Sequence, residues 1–166
     1  HFTGMSPSDS SFVKREFAAW SDEVELPEML RTMRASRIID GEAFALLTNN
    51  PQLETPVKLD MRLIEAEQVA SVDMLAIDPN SVDGIKFDKY GNPVLYSVLM
   101  QHPGGASFSA LDATPTPWDQ VLHFFIPDRP GQRRGIPELT SALPLFAQLR
   151  RWTLSVIAAG ETAADL

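Results

Sequence analysis

The sequence predicts an α+β fold: two N-terminal helices, an antiparallel or mixed sheet of about five strands, and a long C-terminal helix. Three observations carry this. Apolar residues recur at helical spacing before Gly41. Short β-branched and aromatic runs, separated by Gly, Pro and Asn turns, follow from Glu42 to Ile126. From Leu139 onward the chain is mostly apolar, broken chiefly by Arg150-Arg151 and the last few residues.

Residues 1–7 read as a flexible lead-in. Ser8 or Ser10 can cap a helix running to about Asp22, with Val13, Phe17 and Trp20 on one face. A second helix spans Pro27 to about Asp40. Proline suits its first turn, Glu28 suits the positive end of its dipole, and Gly41 stands where a terminating glycine belongs. Arg31, Arg34 and Arg37 form a basic stripe along it, expected to be a solvated or salt-bridged face. Glu42–Thr48 reads as a strand ended by Asn49-Asn50-Pro51. Val57–Ile64 alternates as a half-buried strand that pairs antiparallel with it. Residues 65–82 are acidic and mixed, with a turn at Asp78-Pro79-Asn80. Gly84–Phe87 and Val94–Met100 bracket Asp88-Lys89-Tyr90-Gly91-Asn92-Pro93, a hairpin signal, because Gly91 and Asn92 tolerate positive φ. Residues 102–117, rich in Pro, Gly, Ser, Thr and Ala, read as a long loop. Val121–Ile126 suits a covered strand that Pro127 ends. Pro137 suits the start of the final helical segment, 137–166, and Pro144 requires a break or kink near Leu143. A helix as apolar as Leu145–Ile157 needs neighbours on most sides.

The 166 residues suffice for one domain or part of a larger protein. The chain opens on His1 rather than Met and ends Ala163-Ala164-Asp165-Leu166 with no stop signal after Gly160, as expected of a piece cut from a longer protein. No apolar run is long enough for a transmembrane helix, so no membrane partner is expected. Cysteine is absent, which removes disulfide and thiolate chemistry. A net charge of −8 disfavours tight nonspecific DNA binding, which needs surplus Lys and Arg, so any polyanion contact is local or weak.

Catalytic and metal signatures are sparse, and no cofactor is expected. His1, His102 and His123 share no metal-ligand spacing, and nucleophile-elbow, phosphate-loop and dinucleotide motifs are absent. His123, in an apolar strand, reads as a satisfied core histidine. The competing reading is a hydrolase-like enzyme using His123 with Asp128 or another nearby carboxylate, which requires an exposed His123 in a concave pocket. A generic adaptor or scaffold domain is a third reading.

The most pointed feature is the turn-rich loop bearing Arg129, Arg133 and Arg134, where the chain concentrates cationic charge. These arginines either pin loop carbonyls and carboxylates such as Asp128 or Glu138, or contact a neighbouring subunit or nucleic acid. On the last helix, Leu149, Trp152, Val156 and Ile157 are candidate oligomer-interface residues.

Five segments in order carry a resemblance: Asp40-Gly41-Glu42-Ala43-Phe44; Leu63-Ile64-Glu65-Ala66-Glu67; Asp83-Gly84-Ile85 with Phe87-Asp88-x-Tyr90-Gly91-Asn92-Pro93-Val94-x-Tyr96; His123-Phe124-Phe125; and Arg129-Pro130-Gly131-Gln132-x-Arg134-Gly135-Ile136-Pro137. Over roughly residues 12–166 the chain resembles the lambda-type portal proteins of tailed bacteriophages. The resemblance implies a non-enzymatic subunit of a homo-oligomeric ring, usually a dodecamer, at one capsid vertex. Double-stranded DNA passes nonspecifically through its channel during packaging and ejection, and terminase, capsid and head-tail connector proteins are its partners. It further implies a location in the virion, with assembly in the bacterial host cytoplasm. Residues 1–166 would be a single wing-like unit whose final helix leads toward the stem.

Overall fold

A computed structural model describes residues 4–71, 78–105 and 113–164. Helix α1 (Pro7–Glu23) begins at Ser6, not at Ser8 or Ser10: the Ser6 hydroxyl accepts from the Asp9 backbone N–H at 3.2 Å, and Pro7 takes the first helical position, where a missing N–H loses nothing. Of the expected lead-in, residues 1–3 lie outside the described residues, 4–6 precede the helix, and Pro7 belongs to it. Helix α2 (Leu26–Ile39) follows after Glu25 in a left-handed conformation. It stops at Asp40, and Gly41 (φ 93°) turns the chain into the first strand.

Strands β1 (Glu42–Asn49), β2 (Leu59–Ile64) and β7 (Val121–Phe125) form an antiparallel sheet with β1 in the centre, Phe44 facing Ile64 on one side and His123 on the other. The expected β1–β2 pairing holds, with β2 starting at Leu59 rather than Val57. A second antiparallel sheet runs β3 (Ser81–Val82), β4 (Ile85–Phe87), β5 (Pro93–Leu99), β6 (Ala113–Pro117) in sequence order. The α+β class and the flanking helices are as expected. Among the described residues the strands number seven in two sheets, where the sequence suggested about five in one.

Alternation on β1 explains the layering. Ala43 and Ala45 face Met33 of α2, their short side chains letting the helix sit close to the sheet. Phe44 and Leu46 point the other way, into a cluster with Ile64, Val69, Ile85, Tyr96, Val98 and Val121 that joins the two sheets. Phe44 and Ile85 are fully buried, each worth about 1.5–3 kcal/mol of transfer free energy. Helix α1 is tied to the first sheet by Trp20, whose indole N–H donates to the Leu59 carbonyl at 2.7 Å.

Three expectations change. Part of the supposed loop 102–117 is strand β6, with residues 106–112 outside the described set. Pro115 and Pro117 are compatible with it because β6 is an edge strand, whose outward N–H groups need no partner. Strand β7 is also an edge strand: Val121 is buried, but Leu122 and Phe124 are exposed, so it is covered on one face only. Finally, Pro137 leads a 3-10 turn at Glu138–Ala142, and α3 (Leu143–Ala164) begins where a break was expected, with Pro144 in its permissive first turn.

Candidate functional site

The basic loop crosses the start of β1 where its Gly135 meets Gly41. A Cβ placed on Gly135 would lie 2.1 Å from the Gly41 carbonyl oxygen, and one on Gly41 would lie 2.4 Å from the Ile136 backbone. Neither position has room for any side chain, so this crossing fixes the loop against the start of β1.

That contact delivers Arg134 to Glu42, the buried acid at the head of β1. Arg134 Nε donates to Glu42 Oε1 at 2.6 Å, and its Nη2 lies 2.6 Å from the same oxygen in an ion pair. Its remaining donors reach the carbonyls of Val69 at 2.9 Å, Ala66 at 3.1 Å, and Asp83. One guanidinium thus holds the first strand of one sheet, the 3-10 turn at Ala66–Gln68, and the β3–β4 turn of the other sheet, while lying over the Phe44 ring. Glu42 Oε2 accepts from the Gly135 N–H at 2.9 Å and from His123 Nε2 at 2.8 Å. Burial pushes the Glu42 carboxyl up. The hydrogen bonds from His123 and Gly135 and the charge of Arg134 outweigh that and hold it below its ordinary value.

His123 is therefore a core histidine. Its side chain is 8% exposed, and its ring is stacked between Phe44 and Phe125 at 4.2 and 4.4 Å. The acid beside it is Glu42, whose two oxygens are already occupied by Arg134, Gly135 and His123, and not Asp128. The exposed pairing that a hydrolase would need is not the geometry found.

The three loop arginines divide. Arg134 faces inward. Arg133 is half-buried, lying over the Phe87 ring at 4.5 Å and donating to the Gly91 carbonyl of the β4–β5 turn. Arg129 is exposed, and its side chain has no hydrogen-bond or ionic partner among the described residues. The inward acceptors are Glu42 and the carbonyls of Ala66, Val69, Asp83 and Gly91; Asp128 and Glu138 are not among them. Glu138 instead pairs with Arg37 at 2.6 Å, and Arg37 lies over Phe124 with its side chain 12% exposed. The α2 basic stripe thus has one member built into the fold, while Arg31 and Arg34 are exposed.

Leu149, Trp152, Val156 and Ile157 all lie on α3, and no described residue of that helix is buried. Among the described elements it packs chiefly against the 3-10 turn before it. At 100° per residue, Leu145, Leu149, Trp152 and Val156 form one stripe, with Phe146 and Ile157 at its flank and Leu154 on the far side.

Sequence reading missed a cluster of Glu65, Glu67 and His102, whose ligand-type atoms lie within 4.8 Å of one another. Burial first, then the charges of Glu67 and Glu65, push the carboxyl of nearby Asp40 up. His102 Nδ1 accepts from the Gly104 N–H at 3.0 Å, which places the ring proton on Nε2, donated to Glu65 at 2.8 Å. In that tautomer the imidazole is a donor to the cluster, not a metal ligand.

No helix among the described residues is long and apolar enough to cross a membrane. Compared with known proteins, residues 9–166 match the family model described as phage portal protein, lambda family. No curated protein matches the chain.

Proposed function

The chain belongs to the lambda family of phage portal proteins, and from that membership we propose that it is a structural subunit of a portal ring at the capsid vertex. In this reading the ring forms the channel for DNA packaging and ejection and docks terminase and head-tail connector proteins. Double-stranded DNA passes nonspecifically, and the subunit catalyses no reaction. It assembles in the host cytoplasm and resides in the virion. Residues 1–166 form one wing-like unit, and the 137–166 segment leads toward the stem.

The observation that supports this best is α3. A 22-residue helix with a wide apolar arc and no buried residue is poorly suited to an isolated monomer and well suited to an assembly that covers it. The acidic balance of the chain suits a conduit, because a wall that gripped phosphates tightly would stall DNA passage. Arg129, with Arg133 beside it, is the proposed contact to a neighbouring subunit or to DNA. Arg134 joins them as the residue that holds their loop in place.

Negative-stain imaging of the intact protein tests the proposal. Rings with a central hole are expected; a compact monomer at all concentrations overturns it.

A further inference from the structure

Two apolar surfaces of this chain lie open, and they match. One is the stripe on α3. The other is a groove of about 460 Å³ between α1 and the start of β2, walled by Phe12, Val13, Phe17, Val57 and Leu59 with Trp20 beneath. Phe12, Phe17 and Val57 are each more than half exposed. We propose that α3 of one copy lies across this groove of the next copy, making the head-to-tail contact of the ring. The inference rests on the ring-subunit reading.

Three features select a second copy as the occupant. The spacings agree: Leu145, Leu149, Trp152 and Val156 step by four, three and four, and Val13, Phe17 and Trp20 step by four and three, the pattern of helices packed at a shallow angle. The net charges of the two helices are opposite: α1 carries Asp9, Glu16, Asp22 and Glu23 against two cations, while α3 carries Arg150 and Arg151, on the side away from the stripe, against Glu161, so the attraction acts at range rather than across the seam. Glu16 lines the groove itself. Finally, α3 is not in the groove of its own chain, since no described residue of α3 is buried. Two different, complementary surfaces on one chain generate a heterologous contact, the kind that closes into a ring when the rotation allows. The groove has room for large side chains such as Trp152 and not for a whole helix, so α3 lies on it with side chains inserted.

The chain has no cysteine, which makes disulfide trapping clean. Val13→Cys and Thr153→Cys versions of the intact protein, both keeping the large apolar side chains, are mixed and oxidised. A mixed disulfide between the two versions is expected. Adding Leu149→Asp, at an exposed position that the fold does not use, should lower its yield roughly tenfold or more, because an apolar anchor is lost and a charge buried. Disulfides only between like versions, or a disulfide within one chain of the V13C/T153C double variant, overturn the proposal. Rings that form without the mixed disulfide sink this pairing and leave the ring reading standing, whereas absence of any oligomer sinks both.

Discussion

Arg134 and Glu42, separated by 92 positions in the chain, form a buried ion pair that ties the basic loop to the head of β1, and the same guanidinium reaches Asp83 of the second sheet. The arginine engages one Glu42 oxygen and three distant carbonyls, while the other oxygen accepts from Gly135 and His123. Breaking such a buried pair from one side leaves an uncompensated charge. Arg134→Ala is expected to cost about 3–5 kcal/mol, read from urea denaturation. Replacing both residues by methionine should cost clearly less than the sum of the single changes. Additive losses would mean the pair is not coupled.

Acid should act through the same contact. The Glu42 carboxyl is held below its ordinary value of 4.5, so the folded state favours the charged form. The stability this brings is fully present above about pH 4.5 and is lost as pH falls through the lowered folded value. Glu42→Gln should therefore flatten the acid limb of a stability-versus-pH curve and leave the neutral limb with a constant deficit. An unchanged acid limb would rule Glu42 out.

The glycine crossing predicts a steep contrast within one loop. Gly135→Ala must push apart two backbone segments and should cost about 3 kcal/mol or more. Gly131→Ala meets nothing within 4 Å, so only its φ of +76° is strained, at about 1–2 kcal/mol. Thermal denaturation of the two variants gives the order.

Arg37 is anchored by Glu138, but its Nε is buried without a partner. A methionine there keeps a long apolar side chain in this mostly buried position and removes the orphan donor. Arg37→Met should thus be milder than Arg37→Ala by about 1 kcal/mol or more. Equal losses would show that the ion pair matters and the packing does not.

The proposed outward role of the loop is best probed at Arg129. Charge reversal at Arg134 would lose the fold before any assembly effect could be read. Arg129→Glu should change stability by less than about 0.5 kcal/mol while impairing ring assembly or DNA filling in the intact protein. Normal rings with normal filling would remove Arg129 from the interface.

Much of the fold was legible because it is local. The β4–β5 hairpin announced itself in Asp88–Pro93, and α2 could be bounded by Pro27 and Gly41. Strand β6 was hidden because Ala113–Pro117 looks like loop sequence. Its prolines are tolerated because among the described residues β6 ends the sheet, and edge position is a tertiary fact. The buried contact was half legible. Arg134 was singled out, with pinning weighed against outward contact. Its acceptors, Glu42 and three carbonyls far away in sequence, could not be read from spacing. One signal was present: Glu42 opens an apolar run, and a charge entering a core strand demands a counter-charge somewhere. Arg37 fits the salt-bridged face that the stripe predicts, but spacing does not single it out: a stripe at every third position looks alike along its whole length, and its last member is the one that reaches Phe124 of β7.

The prolines of β6 also restrict how copies of this chain could join. Pro115 and Pro117 have the same parity, so the outer rim of the second sheet offers no amide hydrogen at either place. A foreign strand could not zip onto that rim in continuous register. Neighbours meeting there would have to recognise each other by side chains, a seam that can slide or part without unravelling the sheet behind it.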